Sequence, residues 1–159
     1  MKPGSASSFT VRKMIAADVE QVMAISAGLR NAPHWPQSAY IAALDPTSNP
    51  SRIALVAVND EFDSIAGFSV ASLLPPRAEL ESIAVGLDEQ RQGIGSKLLA
   101  VLIGELRAAA VSQFLLEVRA SNRAGIAFYL AHGWEQSGLR PRYYADPEED
   151  AILMSRSLR

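Results

Sequence analysis

Two polar side chains interrupt apolar stretches of the sequence and stand twelve residues apart: Glu117 in FLLEV and Tyr129 in IAFYL. A carboxylate can accept a proton as a general base, and a phenol can donate one as a general acid. Together they suit a reaction in which a nucleophile loses a proton and a leaving group gains one. Each also has a plainer interpretation, because Glu117 shares a strand face with Arg119 and aromatic residues on helices usually pack in the core. From the residues alone, both interpretations stay open.

A pair of glycines in QRQGIGSKLL stands where an apolar strand pattern ends and an amphipathic helix pattern begins. The first N–H groups of a helix are unpaired and lie at the positive end of its dipole, so such a junction can hold an anion. Gly93 and Gly95 would let a phosphate approach the backbone closely. The dinucleotide fingerprint requires a third glycine where Leu98 stands, and the P-loop requires Gly-Lys-Ser/Thr where the order is Gly-Ser-Lys. The spacing indicates either another kind of phosphate-binding turn or an ordinary tight turn.

The composition excludes several classes of function. The 159 residues include no cysteine, so there is no disulfide framework, thiolate nucleophile or cysteine-based zinc site, and the isolated His34 and His132 predict no metal centre. A formal net charge of −2 gives no electrostatic reason to expect direct binding of nucleic acid or of an anionic membrane. Neither a signal sequence nor an apolar run long enough for a membrane span is evident, so we expect a cytoplasmic location.

The hydrophobic periodicities predict an alternating series of strands and helices. The predicted strands are FTVRKMI, IALVAV, IAGFSVASLL, AELESIAV, QFLLEV, WEQSGLRPRYY and AILMSRSL. The first predicted helix follows Asp18, which can cap it or place a charge in its first turn. The other predicted helices cover SAYIAAL, run from Ile94 to about Ala110, and follow Ser121 or Asn122 as a cap. The order β-αα-βββ-α-β-α-ββ indicates a mixed α/β fold with a central sheet, in which an acidic solvated loop at 146–150 joins the last two strands. We expect one domain over residues 9–159 after a flexible tail at residues 1–8.

The glycine pair fits a third pattern, Gln/Arg-x-x-Gly-x-Gly/Ala, filled by Gln90, Gly93 and Gly95. This pattern resembles the pyrophosphate-binding motif of the GNAT superfamily of N-acetyltransferases. The segments ESIAV, LLEVRASN, AFYLAHGW and RPRYY are similar to the same family in the same order, so the resemblance covers about residues 79–154. Within the family it is greatest to bacterial members that acetylate the N-terminal alanine of a small-subunit ribosomal protein. Before residue 79 it lies in element order alone, and HWPQSAY departs from the Pro-Trp-Ser-like segment of the family's protein acetylators.

The resemblance implies a central, mostly antiparallel sheet that is splayed between its fourth and fifth strands, with helices on both faces. It implies acetyl-CoA as cosubstrate and no metal. The implied coenzyme-binding residues are Ile83, Ala84, Val85, Arg91, Gln92, Gly93, Ile94, Gly95, Ser96 and Asn122. Lys97 could also reach a phosphate, and Asn122 could cap its helix as well. The resemblance makes Glu117 the general base, acting through water, and Tyr129 the general acid. The implied acceptor contacts are Glu81, which is also the reserve base, Tyr143 and Tyr144.

The reaction implied is direct transfer of acetyl to a primary amine, in first place the N-terminal α-amine of a protein such as a ribosomal protein. The reference pKa of an α-ammonium lies about 2.5 units below that of lysine, so a carboxylate deprotonates it more readily. Without cysteine a cysteinyl acyl-enzyme is excluded, and no serine lies beside a histidine in the sequence. Three alternatives stay open: an acetyltransferase of small-molecule amines, a non-catalytic acyl-CoA sensor, and a structural or interaction protein. We expect His34 and Trp35 to pack within their loop.

Overall fold

The computed structural model describes residues 7–159, so the first six residues of the predicted tail lie outside the described part. Its strands are β1 (Phe9–Lys13), β2 (Ser51–Asn59), β3 (Ser64–Leu74), β4 (Arg77–Val85), β5 (Gln113–Arg119), β6 (Glu135–Tyr144) and β7 (Glu149–Ser157). Its helices are α1 (Val19–Ala27), α2 (Gln37–Leu44), α3 (Ile94–Ala108) and α4 (Arg123–Ala131). The predicted order of strands and helices is confirmed.

The seven strands form one sheet in the order β1-β2-β3-β4-β5-β7-β6. All neighbouring strands are antiparallel except β4 and β5, which run parallel. A parallel pair needs a crossover connection, and α3 supplies it. The predicted mixed α/β class with a mostly antiparallel sheet is therefore confirmed.

The sheet opens between β4 and β5. These strands pair only through Arg77–Glu79 and Gln113–Leu115. Beyond that short ladder β4 continues to Val85 and β5 to Arg119 without pairing to each other. The facing edges of the two strands then carry backbone N–H and C=O groups that are available to a ligand. The splay expected between the fourth and fifth strands is present.

Helices cover both faces of the sheet. The buried residues that recur every fourth position along α3 are Ile94, Leu98, Leu102 and Leu106. They pack on one face, in the cluster that also holds Phe114 and Trp134. On the other face α1 and α2 bring Val22 and Tyr40 against Phe68. Burial of each such side chain stabilises the fold by roughly 1.5–3 kcal/mol. Burial of the apolar stripe of α3 therefore outweighs the destabilising effect of the glycine inside this helix. Within residues 7–159, none of the helices combines the length and the apolar character needed to cross a membrane.

Asp18 precedes α1 as predicted, but its carboxylate does not cap that helix. It accepts two hydrogen bonds from the Arg12 guanidinium, at 2.7 and 2.9 Å, and one from the Ile15 N–H at 2.9 Å. A single 3-10 turn stands between Ile15 and α1. The side chain therefore satisfies donors on the strand side of this turn instead of those on the helix side.

The acidic run near the end of the chain is a loop only in part. Glu149 and Asp150 belong to β7. The Glu149 carboxylate accepts hydrogen bonds from the Ser121 N–H and from Arg119, and Asp150 accepts one from the Arg142 N–H at 3.0 Å. The expectation of a solvated loop is wrong for these two residues, because the β6–β7 hairpin places donors beside both carboxylates.

Candidate active site

A cleft of about 1090 Å³ occupies the opening between β4 and β5. Its walls come from the α1–α2 loop, β4, the turn before α3, β5, α4 and the end of β6. The predicted site residues on these walls are Glu81, Ile83, Ala84, Val85, Arg91, Gly93, Ile94, Gly95, Ser96, Glu117, Asn122, Tyr129, Tyr143 and Tyr144. Gln92 does not line the cleft, and its side chain turns back to Glu89 at 3.4 Å.

Glycine stands at positions 93 and 95, at the start of α3, for two different physical reasons. Gly93 is the N-cap of α3 with a φ of +78°, a backbone conformation that L side chains rarely adopt. Nothing lies within 4 Å of the position that a Cβ would take there. Gly95 is different, because a Cβ there would lie 3.3 Å from the Phe128 ring. The first glycine permits the turn, and the second permits α4 to pack closely against α3.

The turn presents backbone donors to the cleft. The first hydrogen bond of α3 runs from the Lys97 N–H to the Gly93 carbonyl, at 3.0 Å. The preceding N–H groups, those of Ile94, Gly95 and Ser96, have no acceptor one helical turn earlier. They lie at the positive end of the dipole of a 15-residue helix. This geometry suits a phosphate or diphosphate.

The side chains of the turn divide between the cleft and the scaffold. The Gln90 amide donates to the Val85 carbonyl at 3.1 Å and ties the turn to the end of β4. The Lys97 ammonium donates to the Phe9 carbonyl. The sequence-based expectation that Lys97 could reach a phosphate is therefore not met, because β1 takes this side chain. Arg91 and Ser96 remain on the cleft wall.

Glu117 faces the cleft because β5 alternates. The buried residues of the opposite face are Phe114, Leu116 and Val118. The Glu117 side chain is 23% exposed, and the guanidinium of Arg140 lies 3.9 Å from its carboxylate. The alternative pairing of Glu117 with Arg119 is wrong, since Arg119 lies 3.4 Å from Glu149. Arg140 reaches Glu117 because β6 and β7 fold back beside β5.

The two tyrosines that end β6 surround Glu117. The pKa of Tyr143 is raised by the neighbouring Glu117 carboxylate. The pKa of Tyr144 is raised by burial first and by the charge of Glu117 second. The Arg119 guanidinium lies 4.3 Å from the centre of the Tyr144 ring, within the range of a cation–π contact. Both phenols therefore remain protonated donors at neutral pH.

Tyr129 belongs to the core and to the cleft at once. Its ring makes edge contacts with Phe128 and Trp134 at centroid distances of 5.5 and 5.6 Å, which hold its orientation. Burial, with a smaller contribution from Tyr144, raises the pKa of Tyr129 to about 12. The phenol therefore carries its proton throughout the physiological range and can donate it into the cleft.

The glutamates of β4 have different surroundings although they share a strand face. Glu81 forms an ion pair with Arg52, with 2.7 Å between Nε and Oε1. The pKa of Glu79 is raised, first by burial and then by the charges of Glu117 and Glu81. Glu79 is thus an acidic residue of the cleft, although the sequence argument took Glu81, on the same strand face, as the reserve base. The alternation of AELESIAV placed both glutamates on one face, but no local pattern showed that Arg52 would bind only one of them.

Asn122 is the N-cap of α4, since its side-chain oxygen accepts the Gly125 N–H at 2.9 Å. The predicted cap is confirmed. Asn122 also lines the cleft, so its role as a cap does not exclude the contact with the coenzyme that the resemblance implies.

On the far wall of the cleft, His34 Nε2 donates to the Leu29 carbonyl at 3.2 Å. The Trp35 ring packs against Tyr40, with 5.2 Å between the ring centroids.

Comparison with known proteins accounts for this arrangement. The profile described as the acetyltransferase (GNAT) family matches residues 20–134. The [ribosomal protein bS18]-alanine N-acetyltransferase of Escherichia coli strain K12 is 44% identical over 93 residues, which are 57% of this chain and 63% of that protein. The chain thus aligns with less than two thirds of that relative.

Two further comparisons extend over more of the chain. A putative enzyme of the same name from Bacillus subtilis strain 168 is 28% identical over 144 residues, which are 91% of this chain and 92% of that protein. The crystal structure of the ribosomal-protein-S18-alanine N-acetyltransferase from Escherichia coli superposes with a TM-score of 0.82 at 30% identity, over 95% of this chain and 94% of that one. With the family profile spanning most of its length, the chain belongs to the GNAT acetyltransferase family.

Proposed function

We propose that the protein is a cytoplasmic enzyme that transfers the acetyl group of acetyl-CoA directly to a primary amine, the N-terminal α-amine of a protein such as a ribosomal protein. The observation that carries the proposal is the division of one cleft into two chemical halves. One half offers the backbone donors of Ile94, Gly95 and Ser96, and the other holds Glu117 and Tyr129. The first half suits a diphosphate, and the second suits proton transfer.

Residues of the splayed strands and the turn would hold the coenzyme. The N–H groups that begin α3, with Arg91, would bind its diphosphate. The unpaired edge of β4 at 83–85 would hydrogen-bond its extended arm as an added strand does. Asn122 would contact it from the start of α4. When bound, the coenzyme supplies an acetyl thioester, and a backbone N–H at the end of β4 near Val85 would polarise the thioester carbonyl.

The acidic wall of the cleft, formed by Glu79, Glu81 and Glu117, would attract and deprotonate the acceptor amine. Glu117 would accept the proton of the acceptor's ammonium group, through a water molecule, while Glu79 and Glu117 together attract that cation. A neutral α-amine forms more readily than a neutral lysine amine, because the reference pKa values are about 7.7–8.0 and about 10.4. Tyr143 and Tyr144, which lie around Glu117, would border the bound acceptor.

Tyr129 would protonate the departing thiolate. Glu117 would release the ammonium proton to solvent before the attack. As the nitrogen–carbon bond forms and the carbon–sulfur bond breaks, a second proton would pass from the amine to Glu117 and the phenol proton from Tyr129 to the sulfur. Proton exchange with solvent would then deprotonate Glu117 and reprotonate Tyr129. The burial that raises the pKa of Tyr129 to about 12 also raises the proton affinity of a thiolate formed in the same site. The proton affinities of the Tyr129 phenolate and of the thiolate would then remain matched for proton transfer.

The acceptor class is tested by product analysis. The protein is incubated with acetyl-CoA and a panel of peptides with free N-termini, Ala-start peptides among them, beside polyamines and aminoglycosides. Mass spectrometry then locates the acetyl group. Acetylation confined to the peptide α-amine supports the proposal, whereas turnover of small amines alone assigns the protein to small-molecule acetylation. Coenzyme binding without any turnover would establish a sensor.

Conservative variants test the catalytic roles. We expect Glu117→Gln and Tyr129→Phe each to lower kcat about 10²- to 10⁴-fold, since each removes one proton-transfer group. Affinity for acetyl-CoA, measured by calorimetry, is expected to stay within about threefold of the parent protein. Glu61→Gln changes an exposed residue of the β2–β3 turn and serves as the matched control. Parental rates in either variant would remove that residue from the mechanism.

A further inference from the structure

Ser96 and His132 lie 36 positions apart in the chain, and the fold brings them into contact. The Ser96 hydroxyl lies 2.8 Å from His132 Nε2. The other ring nitrogen, Nδ1, lies 2.7 Å from the Phe128 carbonyl oxygen. The imidazole also packs on the Phe128 ring at a centroid distance of 4.1 Å. Two hydrogen bonds and a ring contact therefore hold the imidazole in one orientation behind Ser96.

The positions of the hydrogens follow from these partners. A carbonyl oxygen only accepts, so Nδ1 of His132 must carry a hydrogen. In the neutral imidazole Nε2 is then an acceptor, and the Ser96 hydroxyl must donate its single hydrogen to it. In the imidazolium Nε2 carries a hydrogen as well and donates to the Ser96 oxygen. Protonation of His132 thus frees the hydroxyl hydrogen of Ser96 to turn toward the cleft.

The two states differ in what they offer an anion. Ser96 lines the cleft in the first turn of α3, beside the backbone N–H groups that the turn exposes. Diphosphate oxygens accept hydrogen bonds and do not donate them at neutral pH. With neutral His132 the Ser96 hydroxyl donates to the imidazole, so it can donate to such a ligand only by giving up that hydrogen bond. With protonated His132 it presents a donor, and the imidazolium adds positive charge behind it.

We propose that His132 is a positioning residue of the diphosphate site, which acts through Ser96, and that binding of the coenzyme's diphosphate is coupled to uptake of one proton by this pair. The inference rests on the proposed function only in taking coenzyme A as the ligand. The experiments that test it measure coenzyme binding and proton uptake, and neither measurement requires acetyl transfer.

The charges around His132 indicate the direction of this coupling. Arg156 from β7 donates a hydrogen bond to the His132 carbonyl, and Lys97 of α3 follows Ser96 and reaches the Phe9 carbonyl. Among residues 7–159, the hydrogen-bond partners of the imidazole are Ser96 and Phe128, neither of them a carboxylate. A diphosphate bound beside Ser96 would add negative charge close to the imidazole, and such a charge favours the protonated form.

The experiment is calorimetric titration with 3′-dephospho-coenzyme A between about pH 6 and 8.5. This probe is chosen because a phosphate monoester itself titrates near pH 6, whereas its diphosphate does not. We expect affinity to increase as the pH falls, with a slope of at most roughly tenfold per pH unit for one proton. Titrations in two buffers of different ionisation enthalpy should show net proton uptake. A pH-independent affinity with no proton uptake overturns the proposal.

Variants locate the titrating group. His132→Gln keeps a side-chain N–H that can donate to Ser96 but does not titrate, so its affinity should be pH-independent and close to the parental value at low pH. Ser96→Ala should bind the probe more weakly, by about three- to tenfold at low pH, with little pH dependence. His34→Gln removes the other histidine, whose partner is the Leu29 carbonyl, and should retain the parental slope.

These measurements separate the two proposals. A parental slope in His132→Gln overturns the role of His132, even when acetyl transfer is normal. If His132→Gln does not fold, proton uptake by the parent protein and its loss in Ser96→Ala still decide the question. pH-linked binding by a protein that acetylates no amine would support the inference while overturning the proposed enzymatic activity.

Discussion

At the scale of single residues, the three carboxylates on the acidic wall of the cleft differ in their charged partners. Glu81 has Arg52 as a partner at 2.7 Å, and Glu117 has Arg140 at 3.9 Å. The pKa of Glu79 is instead raised by burial and by both neighbouring carboxylates. Because folding raises this pKa, the native state binds the proton more tightly than the unfolded chain. The resulting destabilisation is absent below the unfolded value and complete above the folded one.

We therefore expect Glu79→Gln to stabilise the protein at pH 8 and to leave its stability nearly unchanged near pH 4. Glu79 lies on the cleft wall, where it is partly desolvated but still exposed, so screening by solvent limits the gain to a few tenths of a kcal/mol. Urea denaturation at both pH values measures it, with Glu61→Gln as the control. The same variant should slow acetyl transfer, because it removes a charge that attracts the ammonium group. A variant less stable at pH 8 would show that Glu79 makes a favourable contact in the folded protein.

At the scale of elements, the first turn of α3 lies on the cleft, and the rest of the helix packs against the sheet. Its first turn supplies the backbone donors, and its buried stripe holds that turn against the sheet. Gly104 lies on the exposed side of the helix, and nothing lies within 4 Å of the position of an added Cβ. Gly95 has no such space, since an added Cβ would lie 3.3 Å from the Phe128 ring. One helix therefore contains a glycine with open space around it and a glycine in tight contact with a neighbouring helix.

Gly104→Ala should stabilise the protein by about 0.5–1 kcal/mol, because alanine loses less backbone entropy in a helix. For a chain of this size that corresponds to a rise in Tm of roughly 1–4 °C. Gly95→Ala is the matched contrast and should lower Tm and weaken coenzyme binding, because Phe128 must shift to admit the methyl group. Thermal unfolding followed by circular dichroism measures both. Equal shifts in the two variants would contradict the packing argument.

At the scale of the whole molecule, one charge pair ties the first strand to the 3-10 turn that leads into α1. The Asp18 side chain is only 6% exposed, and Arg12 of β1 holds it at 2.7 Å. The hydrogen bonds from Arg12 lower the pKa of Asp18, against the opposing effect of burial. A lowered pKa contributes stability that is present above the unfolded value of 3.8 and is lost as the pH falls through the folded value.

Asp18→Asn should therefore destabilise the protein by about 1–3 kcal/mol at pH 7, because Arg12 loses its charged partner. The difference from the parent protein should shrink below the unfolded value of 3.8, where the parental carboxyl also becomes protonated. Urea denaturation at pH 7, 5 and 3 tests this, with the exposed Asp88→Asn as control. A difference that stays constant with pH would mean that the shape of the side chain matters and its charge does not.

The sequence by itself determined the order of the elements and the position of the glycine turn before α3. Period-two strands, the four-residue repeat of α3, the glycine pair and the Asn122 cap are patterns among near neighbours, and local backbone geometry is enough to interpret them. The candidate roles of Glu117 and Tyr129 were predicted by resemblance to the family, and the structure places both side chains on one cleft.

Only the tertiary structure decided which partner each polar group has. Glu117 lies beside Arg140 rather than Arg119, Glu81 binds Arg52 across the sheet, and Ser96 meets His132. Each pair joins residues at least 23 positions apart. Hydrogen bonds need heavy atoms about 3 Å apart, and charge interactions weaken with distance. Strand order, register and helix packing set those distances, and no pattern among near neighbours records them.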